Sequence, residues 1–339
     1  MALAVERAPQ IYEGSRIPSP IPTVLQVDPK LREEGDILEV NFGPNHPSTH
    51  GVLRLVVELN GERVVGLKAV VGYLHTGFEK NMEQKTWWKA ITYPERIDYL
   101  SFQINELVFV LAIEKLLGVE TPPKATWMRM LLSELSRIHS HLIWLERTKG
   151  LGLLSAEDAI ALGQSGPVAR ASGIDWDLRR DQPHLAYDEV DFAVPVYHGG
   201  DVYDRYKVHM DEMRESVRIV QQCLDGMPDG RWIVDDRKLV LPPREELHTS
   251  METLIHHFKL VTEGYRVPEG EVYVAVESAR GELGCYVVSD GGPKPWRVKF
   301  RAPSLVALEA TATCMSDALV ADLIAIVGSL DTVMGEVDR

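Results

Sequence analysis

The chain has 339 residues, of which 45% are hydrophobic and 25% charged, and a formal net charge of −14. These fractions are ordinary for a globular protein, and the negative charge argues against free nucleic-acid binding because phosphate backbones attract basic patches. Three widely separated cysteines without a C-x-x-C pair argue against a disulfide framework and predict a reducing compartment. No signal peptide opens the chain and no apolar run is long enough to cross a membrane, so we expect a protein that can lie next to a membrane without spanning it.

The N-terminal part of the chain predicts an arm followed by a small sheet. Residues 1–35 mix prolines with charges and lack a hydrophobic period, which predicts an extended arm. Val52–Leu59 and Glu62–Val71 flank Asn60-Gly61, a pair that suits a type I′ hairpin turn. Ile37–Phe42 is predicted to add a third strand.

From Phe78 onward the hydrophobic period becomes that of helices. We expect one helix over Phe78–Ala90 and another from about Asp98 to Leu117, ended by Gly118 as a left-handed C-cap. A third helix is predicted to open at Thr121-Pro122-Pro123 and to bury one apolar stripe. That stripe consists of Trp127, Leu131, Leu135, Ile138, Leu142 and Leu145.

The second half of the chain begins with a glycine-rich, acidic stretch that predicts irregular structure with a short helix after Ser155. Two amphipathic helices are predicted next, with the stripes Tyr206, Met210, Met213, Val217, Val220 and Leu224, and Leu247, Met251, Leu254, Phe258 and Val261. Short strands over Val272–Glu277, Cys285–Ser289 and Arg297–Arg301 predict a second sheet. A helix over Leu305–Val327, broken near Ser316, closes the chain.

The predicted fold class is therefore α+β, a mainly α-helical bundle with small antiparallel β-sheets at its edges. We expect the arm (1–35) and one domain (36–339). Within that domain we expect an N-terminal sheet (36–72), helices (73–145), an irregular region (150–202), helices (203–264), a small sheet (270–302) and a C-terminal helix and tail (303–339).

The first candidate site is the loop Gly43–Gly51, which presents His46 and His50 in a rigid Gly/Pro frame. Two histidines four apart could bind a metal or offer imidazoles to a ligand, but a metal needs further ligands that the nearby sequence does not supply. A turn whose hydroxyls and imidazoles satisfy backbone groups is an equally good interpretation. His75, at a strand-to-helix junction, is read as a capping or packing histidine.

A second candidate is Arg96-Ile-Asp98-Tyr99 at a helix start, where a phenol and a guanidinium could serve an anion or an oxygen ligand. The residues alone favour the plainer interpretation, a surface salt bridge between Arg96 and Asp98. His139 and His141 face different sides of their helix and are interpreted as structural. The chain contains no nucleotide-binding or metalloprotease motif.

Taken together, segments along most of the chain resemble the D subunit of proton-pumping NADH:quinone oxidoreductase, respiratory complex I. They are Phe42–Arg54, Gly72–Lys80, Arg96–Tyr99, Val110–Gly118, Glu134–Leu142, Gly200–Arg205, His257–Gly264, Ser289–Gly292 and Asp331–Arg339. This family shares its fold with the large subunit of nickel–iron hydrogenases. Those enzymes hold their metals with two C-x-x-C pairs, and since this chain has neither, the hydrogenase metal site is absent.

The resemblance implies a quinone-reduction site between this chain and the iron–sulfur (B) subunit, which carries the terminal cluster. The second histidine of H-P-S-T-H-G and the tyrosine of R-x-D-Y map to His50 and Tyr99, implied to be catalytic at the two quinone carbonyls. His46, Thr49 and Arg96 are implied to lie near the quinone or the cluster. A phenol and an imidazole can each donate a hydrogen bond and a proton to a carbonyl that is being reduced.

The resemblance also implies that this chain binds no cofactor or metal of its own and that NADH is oxidised elsewhere in the complex. The implied partners are the iron–sulfur (B) subunit, the C subunit and the membrane-embedded H subunit, on the cytoplasmic side of the bacterial cell membrane.

The chain departs from the family in one segment. In the family, several tens of further residues, with an acidic partner of the quinone-site histidine, follow the position of Leu145. Their absence motivates an alternative, a structural or degenerate copy without quinone chemistry.

Overall fold

The computed structural model describes residues 37–46, 49, 51–142, 149–316 and 318–339, together with the backbone of 25–26. Apart from that pair, the predicted arm lies outside the described residues. The strands of the first sheet are β1 (Leu25–Gln26), β2 (Ile37–Phe42), β3 (Arg54–Asn60) and β4 (Arg63–Val70), all antiparallel in the order β1-β4-β3-β2. Alternate residues of β3 are buried, as expected for a sheet with one face on the core.

The hairpin between β3 and β4 forms as predicted, but its turn lies one residue later. Asn60 pairs with Arg63, so the two turn residues are Gly61 and Glu62. Gly61 has a φ of 62°, whereas Asn60 continues the strand. The predicted type I′ turn, which needs positive φ at both Asn60 and Gly61, is therefore wrong.

The α-helices among the described residues are mostly short. They are α1 (Phe78–Met82), α2 (Trp87–Ala90), α3 (Phe102–Leu117), α4 (Pro123–His141), α5 (Ala156–Ala161), α6 (Gly166–Ala171), α7 (Leu178–Asp181), α8 (Val202–Gly226), α9 (Met251–Thr262), α10 (Pro303–Cys314), α11 (Leu323–Ser329) and α12 (Met334–Asp338). The predicted short helix after Ser155 is confirmed as α5, and the Ser155 hydroxyl accepts from Asp158 N–H as its cap. The C-terminal helix is broken near Ser316, as predicted.

Two predicted helix boundaries are wrong for identifiable reasons. The helix expected over Phe78–Ala90 is divided into α1 and α2, because Trp87 is anchored elsewhere: its backbone N–H donates to Pro293 O (3.1 Å) and its indole to Gly292 O (3.0 Å). Helix α3 begins at Phe102 rather than Asp98, because the Asp98 carboxylate takes the N–H of Leu100 (3.0 Å) into a local turn. The predicted end of α3 at Gly118, with φ 64°, is confirmed.

The buried face of helix α4 differs from the prediction, although Trp127 is buried as expected and Leu131 and Ile138 are partly buried. Its buried face is polar and consists of Ser133, Glu134, Ser136, Arg137, Ser140 and His141, in addition to Ala125, Trp127 and Met130. The side chains of Leu135 and Leu142, which were predicted to be buried, are 44% and 67% exposed. The facing helix α8 likewise buries Arg205, His209, Glu212 and Ser216. The two longest helices therefore pack through charges, and the predicted apolar stripe of α4 is wrong at Leu135 and Leu142.

The second sheet is formed by β5 (Gly270–Ser278), β6 (Gly281–Ser289) and β7 (Arg297–Arg301), antiparallel in that order, and confirms the prediction. One apolar core lies between the first sheet and helices α10–α12, and another between α3 and the second sheet. The three cysteines are buried free thiols. Within the described part of the chain, no helix has both the length and the apolarity needed to span a membrane.

Candidate functional site

Tyr99 lies in a turn that fixes its backbone and leaves its ring partly accessible. Ile97 and Asp98 are fully buried, whereas Tyr99 is 49% exposed. The main-chain carbonyl of Asp98 accepts from Ser101 N–H (3.1 Å) and from the side-chain amide of Asn105 (3.0 Å). The buried residues Ile97 and Asp98 precede Tyr99 and helix α3 follows it, so the backbone is held on both sides while the phenol lies at the surface.

The guanidinium of Arg280 is the cation beneath this turn. It lies between β5 and β6 and donates to the carboxylate of Asp98, to the carbonyl of Asp331 (2.8 Å) and to the carboxylate of Asp331 (3.3 Å). The hairpin approaches α6 so closely that a Cβ on Gly166 would lie 2.4 Å from the Cα of Gly281. Glycine at both positions is required for this close approach.

Three carboxyl groups surround this guanidinium. Besides Asp98 and Asp331, the buried Glu336 accepts from the hydroxyl and backbone N–H of Ser304. Burial, followed by the charge of Asp98, raises the pKa of Glu336 to about 7. Burial also raises the pKa of Asp331, although Arg280 and His209 oppose it. Asp331 has a φ of 47°, which is uncommon for a residue with a side chain.

The charges of Arg280, Asp98 and Asp331 also act on the phenol of Tyr99. Burial raises its pKa, Arg280 lowers it in part, and Asp98 and Asp331 raise it further. Since an ordinary phenol already has a pKa near 10, Tyr99 carries its proton at neutral pH. It can therefore donate a hydrogen bond and, when a strong base develops next to it, the proton itself.

Helix α12 connects the Tyr99 turn to the first sheet. A Cβ on Gly335 would lie 2.6 Å from Ile97 O, so the helix touches the backbone before Tyr99. At its other end the Asp338 carboxylate accepts from the backbone N–H groups of Gly72 and Leu74 (2.7 Å each). His75 Nδ1 lies 2.6 Å from Asp338 O, so this histidine packs against the C-terminal backbone rather than capping α1, whose N-cap is Gly77.

The histidine loop leaves the first sheet at the end where α12 is attached. It connects β2 to β3, and the segment after β4 that bonds to Asp338 starts from the same end. Thr49 is buried and its hydroxyl donates to His46 O (2.8 Å) and Pro44 O (3.0 Å), so it holds the loop together. The ring of His46 contacts that of Phe42, with centroids 4.3 Å apart. His50 lies outside the described residues.

Arg96 does not form the predicted salt bridge with Asp98. Its guanidinium bonds to the carboxylate of Glu95 (2.9 Å) and to Thr92 O, and its side chain is 67% exposed. Asp98 is instead buried against Arg280. The interpretation of Arg96 as half of an Arg96–Asp98 pair is wrong, because the carboxylate points inward and the guanidinium outward.

A chain of titratable groups fills the interface between α4 and α8. His141 Nε2 lies 2.9 Å from a carboxylate oxygen of Glu212, and His141 Nδ1 lies 3.0 Å from His209 Nδ1. Arg170 pairs with the other carboxylate oxygen of Glu212. Burial would raise the pKa of Glu212, but Arg170 and the bond from His141 hold it well below its usual range. His139, as predicted, faces the other side and donates to Leu100 O (3.0 Å).

The same interface continues into a second group of paired charges. Glu134 accepts from Tyr187 (2.6 Å) and Ser216 (2.5 Å) and lies beside Arg137 and Arg179. Burial raises its pKa, but the two arginines together with the bonds from Ser216 and Tyr187 lower it further, so the carboxylate stays ionised. Arg179 is bound further by Asp177 (2.7 Å). These pairs are buried on all sides and explain why a polar face can lie in the protein interior.

The sequence predicted Tyr99 as a site residue but not Arg280 and Asp331, whose charges act on it, nor Glu336, whose charge acts on Arg280. The interpretation of His141 as structural agrees with its burial and its contact with Glu212, whereas His209 was not singled out. One signal was available: Ser133, Glu134, Arg137, Ser140 and His141 recur with helical spacing and form a polar stripe as regular as the apolar one.

Comparison with known proteins gives consistent relatives. A family profile described as "Respiratory-chain NADH dehydrogenase, 49 Kd subunit" matches residues 123–339. A protein of Herpetosiphon aurantiacus, named as a D subunit (number 1) of NADH-quinone oxidoreductase, is 42% identical, covering 97% of this chain and 98% of its own length. Two more D subunits (number 2) of NADH-quinone oxidoreductase, from Chloroflexus aurantiacus and a Roseiflexus species, are 41% and 43% identical. They cover 95% and 94% of this chain and 99% and 97% of their own lengths.

The alignment with the Herpetosiphon protein extends over 416 positions, whereas 97% of 339 residues is about 329. About 87 aligned positions of that relative therefore have no counterpart in this chain. The junction expected after Leu145 lies outside the described residues, which end at Leu142 and resume at Lys149.

Proposed function

Because the chain belongs to the family of the 49 kDa subunit of respiratory-chain NADH dehydrogenase, we propose that the surface around Tyr99 forms one wall of its quinone-reduction site. The other wall is the iron–sulfur (B) subunit, whose cluster passes electrons to the quinone. The reaction is coupled to proton translocation, and the chain acts only within the assembled complex. The C subunit and the membrane-embedded H subunit are further partners, at the cytoplasmic side of the bacterial membrane.

The observation that carries the proposal is the setting of Tyr99. A phenol that is half exposed, protonated at neutral pH and fixed over the buried Asp98–Arg280 pair is a positioned hydrogen-bond donor. The carbonyl of the preceding residue, Asp98, accepts from Ser101 and Asn105, so the backbone that carries the ring is held in place. Such preorganised donors stabilise oxyanion charge as it develops.

The histidine loop is the second part of the proposed site. His50 is proposed to face the other quinone carbonyl, while Thr49 holds the loop and His46 lines it. Helix α12 supports this arrangement, because it contacts the backbone before Tyr99 through Gly335 and binds the neighbouring segment Gly72–Leu74 through Asp338.

Quinone reduction then follows from elementary chemistry. Two electrons from the partner's cluster convert the quinone to its dianion level, and each oxygen takes up one proton. Tyr99 gives its phenolic proton to one oxygen and an imidazole at His50 gives one to the other. The exposed Arg96 is proposed to place a fixed positive charge near the cluster, which favours the reduced cluster.

The test is Tyr99→Phe in the purified complex. We expect NADH:quinone activity to fall on the order of 10²-fold, the usual cost of removing one donor to a developing oxyanion. NADH oxidation by ferricyanide, which takes electrons before the quinone site, should be unchanged. Unchanged quinone turnover in a fully assembled complex would exclude Tyr99 from the reaction.

Tyr273→Phe is the matched control. Tyr273 is also about half exposed, at 47%, but it lies on β5 and its hydroxyl donates to Glu282 (2.9 Å). It should leave both activities unchanged. A complex that contains only this version of the chain and oxidises NADH with quinone would also exclude the alternative of a copy without quinone chemistry.

A further inference from the structure

The outward face of helix α4 is apolar. After Pro123, the exposed residues of this helix and its C-cap are Met128, Leu132, Leu135, His139 and Leu142, and no Lys, Arg, Asp or Glu is among them. The four apolar ones are 37% to 67% exposed. A surface helix of a globular protein normally presents charged and polar residues to solvent. The five residues, which we name the α4 stripe, therefore indicate a face that is covered by something else.

The helix cannot bury the α4 stripe by rotating, because its other face is fixed by charges. Arg137 donates to the carbonyls of Glu277 (2.7 Å) and Ser278 (2.8 Å). Glu134 lies between Arg137 and Arg179. Turning the helix by half a turn would break these bonds and leave buried charges without partners, which is costly. The α4 stripe therefore stays at the surface until another chain segment packs on it.

The spacing within the α4 stripe indicates what kind of partner fits it. The five positions follow one another at intervals of four, three, four and three residues. Their mean interval of 3.5 residues is the a and d pattern of helices that pack side by side. The complement of such a stripe is a second helix that crosses α4 at about 20° and whose own apolar residues recur with the same period.

A groove beside the α4 stripe adds a charge to this description. A cavity of about 250 Å³ lies between α3 and α4, with Glu106 and Leu132 among the residues that line it. In the part of the chain that the structure describes, Glu106 has no cationic partner, and burial followed by the charge of Glu95 raises its pKa. Arg129, which also lines the groove, is already paired with Glu114 (2.7 Å). A helix that covers the stripe should therefore bring a Lys or Arg to Glu106.

The relatives have additional chain at the place where such a helix is needed. About 87 aligned positions of the Herpetosiphon protein have no counterpart here, and the expected junction, after Leu145, lies three residues beyond the end of the α4 stripe. A segment of about 87 residues is several times longer than the 19 residues of α4. In this chain only six residues separate Leu142 from Lys149, which is too few for a second helix that returns along α4.

We propose that the α4 stripe is a docking surface for an amphipathic helix of this absent segment, supplied by a separate polypeptide. That helix packs its own apolar a and d residues on the stretch from Met128 to Leu142 and places a basic side chain next to Glu106. The chain is then completed by association with a second polypeptide. The proposal does not depend on quinone chemistry, so its test involves no electron transfer.

The test adds the absent segment to the full chain. The probe is the segment of the Herpetosiphon protein that has no counterpart here, produced separately and labelled with a fluorophore. Fluorescence anisotropy measures its binding, and native mass spectrometry measures the stoichiometry. We expect a one-to-one complex in which Met128 is protected from oxidation. The absence of a complex, or a complex in which Met128 is oxidised as fast as in the free chain, overturns the proposal.

Leu135→Glu is the variant that tests the surface itself. Leu135 lies at the centre of the α4 stripe and is 44% exposed, so the substitution should leave the fold intact, which circular dichroism checks. It places a charge in the proposed interface, and binding should weaken on the order of tenfold to a hundredfold. Ile324→Glu is the matched control, because Ile324 is 47% exposed but lies on α11. Equal affinities of Leu135→Glu and the parent would exclude the stripe as the docking surface.

Glu106→Gln tests the predicted charge pair. It should weaken binding severalfold and reduce the dependence of binding on salt, because attraction between opposite charges is screened by ions. Glu120→Gln, at an exposed position after the end of α3, should change neither quantity. The same salt dependence in both variants contradicts a basic side chain at Glu106.

A second copy of the chain is the competing occupant of the α4 stripe. Analytical ultracentrifugation of the chain alone should show a monomer. A dimer that Leu135→Glu dissociates would assign the stripe to self-association and overturn the proposal. The proposed role of Tyr99 is tested separately by Tyr99→Phe, so either proposal can fail without the other.

Discussion

The guanidinium of Arg137, on helix α4, donates to the main-chain carbonyl of Glu277 at the end of β5 (2.7 Å), and its other nitrogen donates to Ser278 O (2.8 Å). A fully buried side chain thereby joins the helix pair to the second sheet just before the turn that carries Arg280. These two bonds join α4 to the β5–β6 turn that places Arg280 beneath Tyr99.

Replacing this arginine should therefore be costly. Arg137→Met leaves the charge of Glu134 less compensated and two carbonyl groups without their donor, so we expect a loss of about 3–5 kcal/mol in the free energy of unfolding. Thermal unfolding of the purified protein measures it. The control is Arg231→Met, since Arg231 is 72% exposed and its pair with Asp235 should contribute less than about 1 kcal/mol. Equal losses in both variants contradict the argument.

A methyl group at position 335 should disturb the Tyr99 turn. In Gly335→Ala the new Cβ would meet the carbonyl oxygens of Ile97 and Arg96 at 2.6 and 2.7 Å, and backbone atoms cannot move aside cheaply. We expect a loss of about 1–3 kcal/mol in stability together with lower quinone turnover. In Gly328→Ala, on α11, nothing lies within 4 Å of the new Cβ, and helix propensity predicts a gain of up to about 1 kcal/mol.

The buried carboxyl of Glu336 predicts how stability depends on pH. Its pKa is about 7 in the folded chain and 4.5 in the reference state, so between these values the folded state binds more protons than the unfolded state. Stability contributed by the neutral carboxyl is thus present below pH 4.5 and is lost as pH rises through 7. Glu336→Gln should flatten this decline in unfolding experiments from about pH 5 to 8. An unchanged slope would mean that another group titrates there.

Arg96 offers a test that separates its charge from its packing. Because its guanidinium is 67% exposed and bonded only locally, to Glu95 and Thr92, Arg96→Met should change stability by no more than about 0.5 kcal/mol. If Arg96 lies near the partner's cluster, the substitution should lower the midpoint potential of that cluster, measured by redox titration in the complex. Arg218→Met removes a charge that is 50% exposed on α8 and should not shift the potential. A potential unaffected by Arg96→Met argues against its proposed place.

Local patterns accounted for the parts of the fold that are stabilised locally. The strand Ile37–Phe42 and the β3–β4 hairpin were predictable because alternation and a glycine turn are features of adjacent residues. Gly118 ended α3 where expected because a left-handed C-cap needs glycine and little else. The turn at Gly61-Glu62 differs by one residue, a difference set by strand register rather than by the turn residues.

Helix α4 could not be predicted in the same way. An apolar stripe indicates the buried face only when the polar face has no partners, and here Glu134 and Arg137 find theirs on α8, on α7 and at the end of β5. Likewise, the role proposed for Tyr99 rests on resemblance to a family. Arg280 and Asp331 come from far away along the chain, and Arg280 pairs with Asp98 across a separation of 182 residues. Pairing at that range leaves no periodic trace in a single sequence.

The charged interface between α4 and α8 has a consequence for how this chain tolerates change. Arg170 and Arg179 each pair with two or more carboxylates, so the effects of substitutions should be strongly non-additive: losing one member strands its neighbours, and a second loss costs less than the first. Selection should therefore remove most single replacements in this interface. An apolar version of it becomes accessible only when several positions change together.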